Sequence, residues 1–356
     1  MSTRFYFATC QTGAEKAVKA EVGAELPRLR FAFSRPGFIT FKDESDEGPP
    51  LVLRNGIFTR LWGEALGQAK DPADLPALLG RVPRGALLHR FDRDLHIPGE
   101  EPEGFVRNGH IASAGRAGER AAIPAGIPEA GSRARDRAPR VGETVYDLIW
   151  IDDFHLFLGR HVHAEYMVDA PGNVPDIPLP AHSPSRAYLK IEEAFARFKP
   201  PLERGNTVLE VGCAPGGATT ALLARGMRVT GVDPQYMAET VAAAPFFTHV
   251  RKPARFATPD DLRGCNPDWL VVDMSIAPAE ALPELAHVLK VLRGLFGSSL
   301  RLRQGFITLK LNDWKLAAEI PSYLERLERM GFRSLHPIQL CANRQEFFVN
   351  AADFRR

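Results

Sequence analysis

Cysteine is scarce in this sequence, with only Cys10, Cys213, Cys265 and Cys341 among 356 residues. No Cys-x-x-Cys pair occurs, so neither a disulfide framework nor a zinc finger is encoded, and such sparse thiols suit a reducing compartment. Long apolar runs are missing too. Nowhere do the ~18 consecutive apolar residues of a spanning helix occur, and the opening MSTRFYFATCQ lacks the apolar stretch of a secretory signal. No membrane association is expected, and the cytoplasm is the expected location. An excess of one charge is also absent. Lys and Arg number 45 against 43 Asp and Glu, for a net charge of +2. Overall charge therefore says nothing about nucleic acid, and a basic binding surface would have to come from local clustering.

What is present is ample apolar material, 45% of the chain, over a length that favours two domains. The spacing predicts a strand over 4–10 and a helix over about 13–26. Two strands in LRFAFS and GFITFK then flank the turn Arg35-Pro36-Gly37. That order suits a small α+β domain of ferredoxin-like type, spanning residues 1–168 and completed by strands in VYDLIWID and FHLFLGRHV. Near 98–142 the texture changes to Gly, Ala, Pro and Arg with no apolar period, as in a flexible insertion. Its arginines (Arg116, Arg120, Arg133, Arg135, Arg137 and Arg140) could form an electrostatic arm for phosphates or simply be solvated. A Pro-rich joint covers 169–184. From 185 to 356 strands and helices alternate, predicting a parallel sheet with helices on both faces. Helices are expected near 185–199, 216–226, 279–297 and 315–330. Strands are expected near 207–212, 228–233, 269–274, 305–311, 333–339 and 345–350.

The densest signal is TVLEVGCAPGGATTALLARGMRVTGVDP. An apolar strand, Val208 to Val211, runs into Gly212, Cys213, Ala214, Pro215, Gly216 and Gly217, and a helix follows. Small residues let the backbone approach a ligand, and a helix N-terminus presents unpaired amide donors. Asp233 ends the next strand, 21 positions after Gly212, a spacing that suits a carboxylate accepting bonds from ribose hydroxyls. A glycine loop alone is equally a strand-to-helix turn. Loop and acid together point to a nucleotide-type ligand, without separating dinucleotides from S-adenosylmethionine. The missing G-x-G-x-x-G order counts against NAD, and no G-x-x-x-x-G-K-[ST] phosphate loop occurs.

LEVGCAPGGAT resembles the first motif of the FtsJ-like 2′-O-ribose RNA methyltransferases, and the match extends over about residues 180–350. The resemblance implies a Rossmann-like α/β fold, S-adenosyl-L-methionine as cofactor and a Lys-Asp-Lys-Glu tetrad. Lys190 in SRAYLKIEEAF, Asp273 in WLVVDM, Lys310 in FITLKL and Glu346 in NRQEFFV match its positions. It also implies cofactor contacts from Glu210, Gly212, Cys213, Ala214, Pro215, Gly216, Gly217 and Asp233. Two positions depart from the family pattern: Glu210 stands where Asp is usual, and Ala218 where Trp commonly follows Pro-Gly-Gly. Both bear on cofactor packing, and neither removes a tetrad member. PAHSPSRAYLKIEEAF is similar to the RlmM branch, which implies 23S ribosomal RNA as substrate and a THUMP-like N-terminal RNA-binding region. In that chemistry a base must take the proton of a ribose 2′-hydroxyl. Lys310 is the expected base. An ordinary lysine, with a pKa of ~10.4, is charged at neutral pH. Lys190 and a sulfonium would lower that value, and Asp273 and Glu346 would oppose the shift.

Singly, each tetrad residue is unremarkable; Lys190 reads as a solvated helix charge and Asp273 as a strand-end cap. His155, His161 and His163 have no carboxylate or cysteine at ligand spacing, so they read as structural or surface residues, and no metal is expected. Arg251, Lys252 and Arg255, with Arg301 and Arg303, could contact phosphates. Trp62, Trp150, Trp269 and Trp314 read as packing residues. Competing readings are 2′-O-methylation of another RNA such as transfer RNA, and a catalytically silent RNA-binding protein. A small-molecule methyltransferase would need neither two lysines nor a large extra domain.

Overall fold

The computed structural model describes residues 3–45, 53, 56–94, 138–152 and 155–355. Most of the Arg-rich stretch expected near 98–142, including Arg116, Arg120, Arg133, Arg135 and Arg137, lies outside them. The chain divides into two compact units, Met1–Pro178 and Leu179–Arg356. Among the described residues, no helix is long and apolar enough to cross a membrane.

In the first unit, β1 (Arg4–Thr9), α1 (Glu15–Glu25), β2 (Arg30–Arg35) and β3 (Phe38–Asp43) follow the sequence pattern. The pattern does not announce β4 (Leu61–Ala69), the short α2 (Leu75–Leu79) or β5 (Leu87–Asp92). With β6 (Thr144–Asp152) and β7 (His155–Val162) they make one sheet in the order β2-β3-β1-β4-β7-β6-β5. Among the described residues, only the β5–β6 pairing of this sheet is parallel. Alternating side chains bury both faces. Tyr146, Leu148, Leu156 and Leu158 pack with Leu75, Leu78 and Leu79 of α2. Phe7, Phe38, Leu61, Phe91, Ile149, Ile151 and Phe157 form a second cluster.

The second unit begins with α3 (Ala187–Phe198), which stops at a left-handed Lys199 before Pro200 and Pro201. Then come β8 (Thr207–Val211), α4 (Gly217–Ala224), β9 (Arg228–Val232), α5 (Glu239–Ala242), β10 (Phe247–Val250) and α6 (Pro259–Leu262). β11 (Trp269–Asp273), α7 (Pro278–Phe296), β12 (Gln304–Lys310), α8 (Ile320–Arg329), β13 (Ser334–Ile338) and β14 (Glu346–Ala352) complete it. The sheet runs β10-β9-β8-β11-β12-β14-β13. It is the Rossmann-like α/β arrangement, with one departure from the all-parallel expectation. β14 is antiparallel to both neighbours, because it slots between β12 and β13 after a short return loop. The order reverses beside β8, so the β8 and β11 ends open a crevice of the kind that binds ligands in such sheets.

Candidate active site

The chain turns sharply at the end of β8 because of its glycines. Gly212 sits at φ +85°, and a Cβ there would come within 2.6 Å of the Asp273 carbonyl oxygen. At Gly217 a Cβ would lie 2.2 Å from the Ser185 hydroxyl. Glycine thus lets the β8 loop and the start of α4 approach both the end of β11 and the segment leading into α3. Asp233, at the end of β9, closes the other side of the loop. Its Oδ2 accepts from the Ala214 amide at 3.1 Å and its Oδ1 from the Gln235 amide at 2.8 Å.

Two of the loop's expected contact residues turn their side chains inward. Cys213 is buried against Met237 and Val241, and burial pushes its thiol pKa up. It offers only backbone to the crevice. Glu210 is fully enclosed and accepts a 2.7 Å bond from the Thr219 hydroxyl of α4. Burial raises its pKa to about 8, so this carboxyl is neutral through most of the physiological range. The longer glutamate thus ties the loop to its helix from beneath. Ala218 is buried in α4.

Lys190, Asp273, Lys310 and Glu346 meet in a closed ring of alternating charge. Lys190 Nζ lies 2.8 Å from Asp273 Oδ2 and 2.6 Å from Glu346 Oε1. Lys310 Nζ lies 3.0 Å from Asp273 Oδ1 and also pairs with Glu346 Oε2. Each carboxylate therefore gives one oxygen to each lysine. Three of the four sit at strand ends; Lys310 and Glu346 are direct cross-strand partners. Lys190 is buried on the inner face of α3 rather than solvated, as its charge is matched by two acids.

The ring perturbs its members strongly. Burial would raise the Glu346 pKa, but the two lysines outweigh it and hold the carboxyl down at about 2. Burial would also discharge Lys310, yet Asp273 and Glu346 prevail and hold its ammonium well above the ordinary lysine range. The expected contest between lowering and raising influences at Lys310 is won by the carboxylates.

Sequence reading missed the residues that hold this ring in place. Asn343 donates to Glu346 Oε1 at 2.9 Å and accepts from the Leu340 amide at 2.7 Å. Glu193 is buried on α3, paired with Arg197, and accepts from the amides of Cys341 and Ala342 at 3.0 and 3.3 Å. It thereby locks the loop before Glu346 to the helix carrying Lys190. The available signal was an i, i+4 Glu–Arg pair on the apolar face of a helix. Arg225 pairs with Glu192 and lies 4.4 Å over the Phe195 ring, fastening α4 to α3.

The other candidates resolve differently. Lys252 is bound to Asp261, Arg255 to Glu284 and Arg301 to Asp268, so three of the five basic residues already have acidic partners. Arg251 lies over the exposed Tyr236 ring. Trp62 stacks on Tyr6 and Trp269 packs on Phe195 and Phe306. His155 bonds Gln68 and His163 faces Asp169. His161 departs from expectation, because a buried carboxylate, Asp147, lies 2.5 Å from its Nδ1.

A mostly parallel sheet, a glycine loop with a facing acid and a charge-balanced Lys-Asp-Lys-Glu ring are the features that the resemblance to the FtsJ-like methyltransferases implies. The family model for FtsJ-like methyltransferases matches residues 184–349. The relative from Aeromonas hydrophila, ribosomal RNA large subunit methyltransferase M, is 36% identical over 302 residues, covering 78% of each chain. The chain belongs to this family. Proteins of the same name from Halorhodospira halophila and Tolumonas auensis are 31% and 29% identical, over 57% and 51% of this chain. The chain spans about half the length of these last two relatives. TrmN from Thermus thermophilus aligns over 99% of the chain at 14% identity, with a TM-score of only 0.37.

S-adenosyl-L-methionine is the cofactor of this methyltransferase family. The residues present fit it: the glycines bring bare backbone up to the crevice, and each oxygen of Asp233 accepts one loop amide and keeps a further lone pair.

Proposed function

We propose that this chain methylates a ribose 2′-hydroxyl of RNA, with 23S ribosomal RNA as substrate. Lys190, Asp273, Lys310 and Glu346 are its catalytic group. Gly212 to Gly217 and Asp233 hold the cofactor, with Glu210 supporting the loop from below. The observation that carries this reading is the ring itself, in which a buried lysine, a half-buried lysine and two carboxylates converge beside the glycine loop. The relatives named for the large ribosomal subunit support the substrate.

The bound cofactor supplies an electrophilic methyl on a cationic sulfonium. Lys310 Nζ takes the hydroxyl proton, and the ring fixes where that nitrogen stands. Lys190 neutralises the carboxylate oxygens that Lys310 leaves uncovered, and Asp273 and Glu346 aim both amines. Since the carboxylates hold Lys310 charged, the neutral fraction that can act as base is small and grows with pH. Residues 1–168 serve as an RNA-recognition domain of THUMP-like type, joined through 169–184 to the catalytic domain at 185–356.

The test is transfer of labelled methyl to purified 23S, 16S and transfer RNA from cells lacking the gene, followed by nucleoside mass spectrometry. A 2′-O-methyl nucleoside in 23S RNA alone is expected. Label confined to transfer RNA would reassign the substrate. Cofactor binding without transfer to any RNA would leave a silent RNA-binding protein.

A further inference from the structure

One polar cluster in the first unit lies outside the Lys-Asp-Lys-Glu ring and the glycine loop. His89 on β5, Asp147 on β6 and His161 on β7 project from one sheet face. His89 and Asp147 are direct cross-strand partners, while Asp147 faces Gly159, two residues before His161. Asp147 and His161 are fully enclosed, and the His89 side chain is 13% exposed. One potential ligand atom from each residue falls in a group whose members lie within 4.8 Å of one another.

Hydrogen bonding leaves this cluster incomplete. The His161 Nδ1–Asp147 Oδ2 contact of 2.5 Å uses one carboxylate oxygen. Asp147 Oδ1 and His89 Nδ1 are both buried without a hydrogen-bond partner, and they stand 3.9 Å apart. Buried polar atoms are rarely left unmatched without reason. Two ligands on a tetrahedral metal with bonds of ~2.1 Å lie about 3.4 Å apart, so a half-ångström adjustment would let both atoms bind one ion.

We propose that His89, Asp147 and His161 form a binding site for a divalent transition metal of zinc type. Two imidazoles and one carboxylate match the nitrogen and oxygen preferences of such ions. The ion would cross-link the edge strand β5 to β6 and β7, so its role is to hold this end of the sheet together. No cysteine is involved.

The full chain, stripped with chelator, is titrated with zinc alone by calorimetry and with cobalt alone by visible absorption. One ion per chain is expected, with a tetrahedral cobalt spectrum lacking thiolate bands. At a hundredfold excess over Kd the melting temperature should rise by roughly 5–10 °C. His89→Gln, at the least buried position, should abolish both binding and the rise. If that variant does not fold, Asp147→Asn, which keeps the shape, takes its place. No saturable uptake by the wild type would overturn the proposal and leave a buried His–Asp pair. Undiminished binding by a folded variant, or thiolate bands with cobalt, would overturn it equally.

Discussion

Replacing Glu346 by Gln keeps the shape of the ring and removes one of its two negative charges. The lysines would then share a single carboxylate, Asp273. A carboxyl whose pKa falls from 4.5 to about 2 on folding contributes about 3 kcal/mol to stability at neutral pH. Breaking a buried ion pair from one side costs about 3–5 kcal/mol in other proteins, which agrees. For a unit of this size the loss corresponds to a fall of roughly 6–12 °C in melting temperature. Because the folded value is depressed, the contribution is complete above about pH 4.5 and disappears as pH falls through about 2. Calorimetric melting of both proteins from pH 7 down to pH 2.5 should therefore show a gap that closes with acid. The same substitution removes part of what keeps Lys310 charged, so the alkaline rise of the transfer rate should move to lower pH. Equal melting temperatures at pH 7, or a gap independent of pH, would refute the account of the ring.

Lys310→Arg keeps the charge but not a removable proton, so single-turnover methyl transfer should fall at least ~10²-fold while calorimetric cofactor affinity is retained. Asp233→Ala should weaken S-adenosyl-L-methionine binding measurably by calorimetry, with the fold intact by circular dichroism. Glu210 has a raised folded pKa, so its stabilising share is complete below about pH 4.5 and is lost as pH rises through about 8. Glu210→Gln should accordingly melt higher than the wild type above pH 8 and converge with it toward pH 5.

The second unit was legible because its strands are short apolar runs punctuated by glycine and ended by charge. Val208 to Val211 before Gly212, and WLVVD ending at Asp273, each announce a strand and the end that faces the crevice. The strand pattern could not show that β14 reverses and enters between β12 and β13. That insertion makes Lys310 and Glu346 cross-strand neighbours, so direct contact between these two residues is a consequence of topology rather than local spacing. In the first unit β4 was hidden by its own glycines. Gly63 stands where a Cβ would lie 2.3 Å from the Arg160 carbonyl oxygen, so close strand packing replaced the apolar alternation by which a strand is recognised. Asp147 was hidden for a related reason. It lies amid the apolar strand TVYDLIWID, 14 positions from His161, and only the antiparallel β6–β7 pairing makes them diagonal neighbours on one sheet face. In the first unit a histidine expected to be structural or at the surface, His161, became part of a site candidate once strand order brought a carboxylate into the same buried space. Local pattern reveals which strands exist. Pairing order decides which of their polar residues can work together.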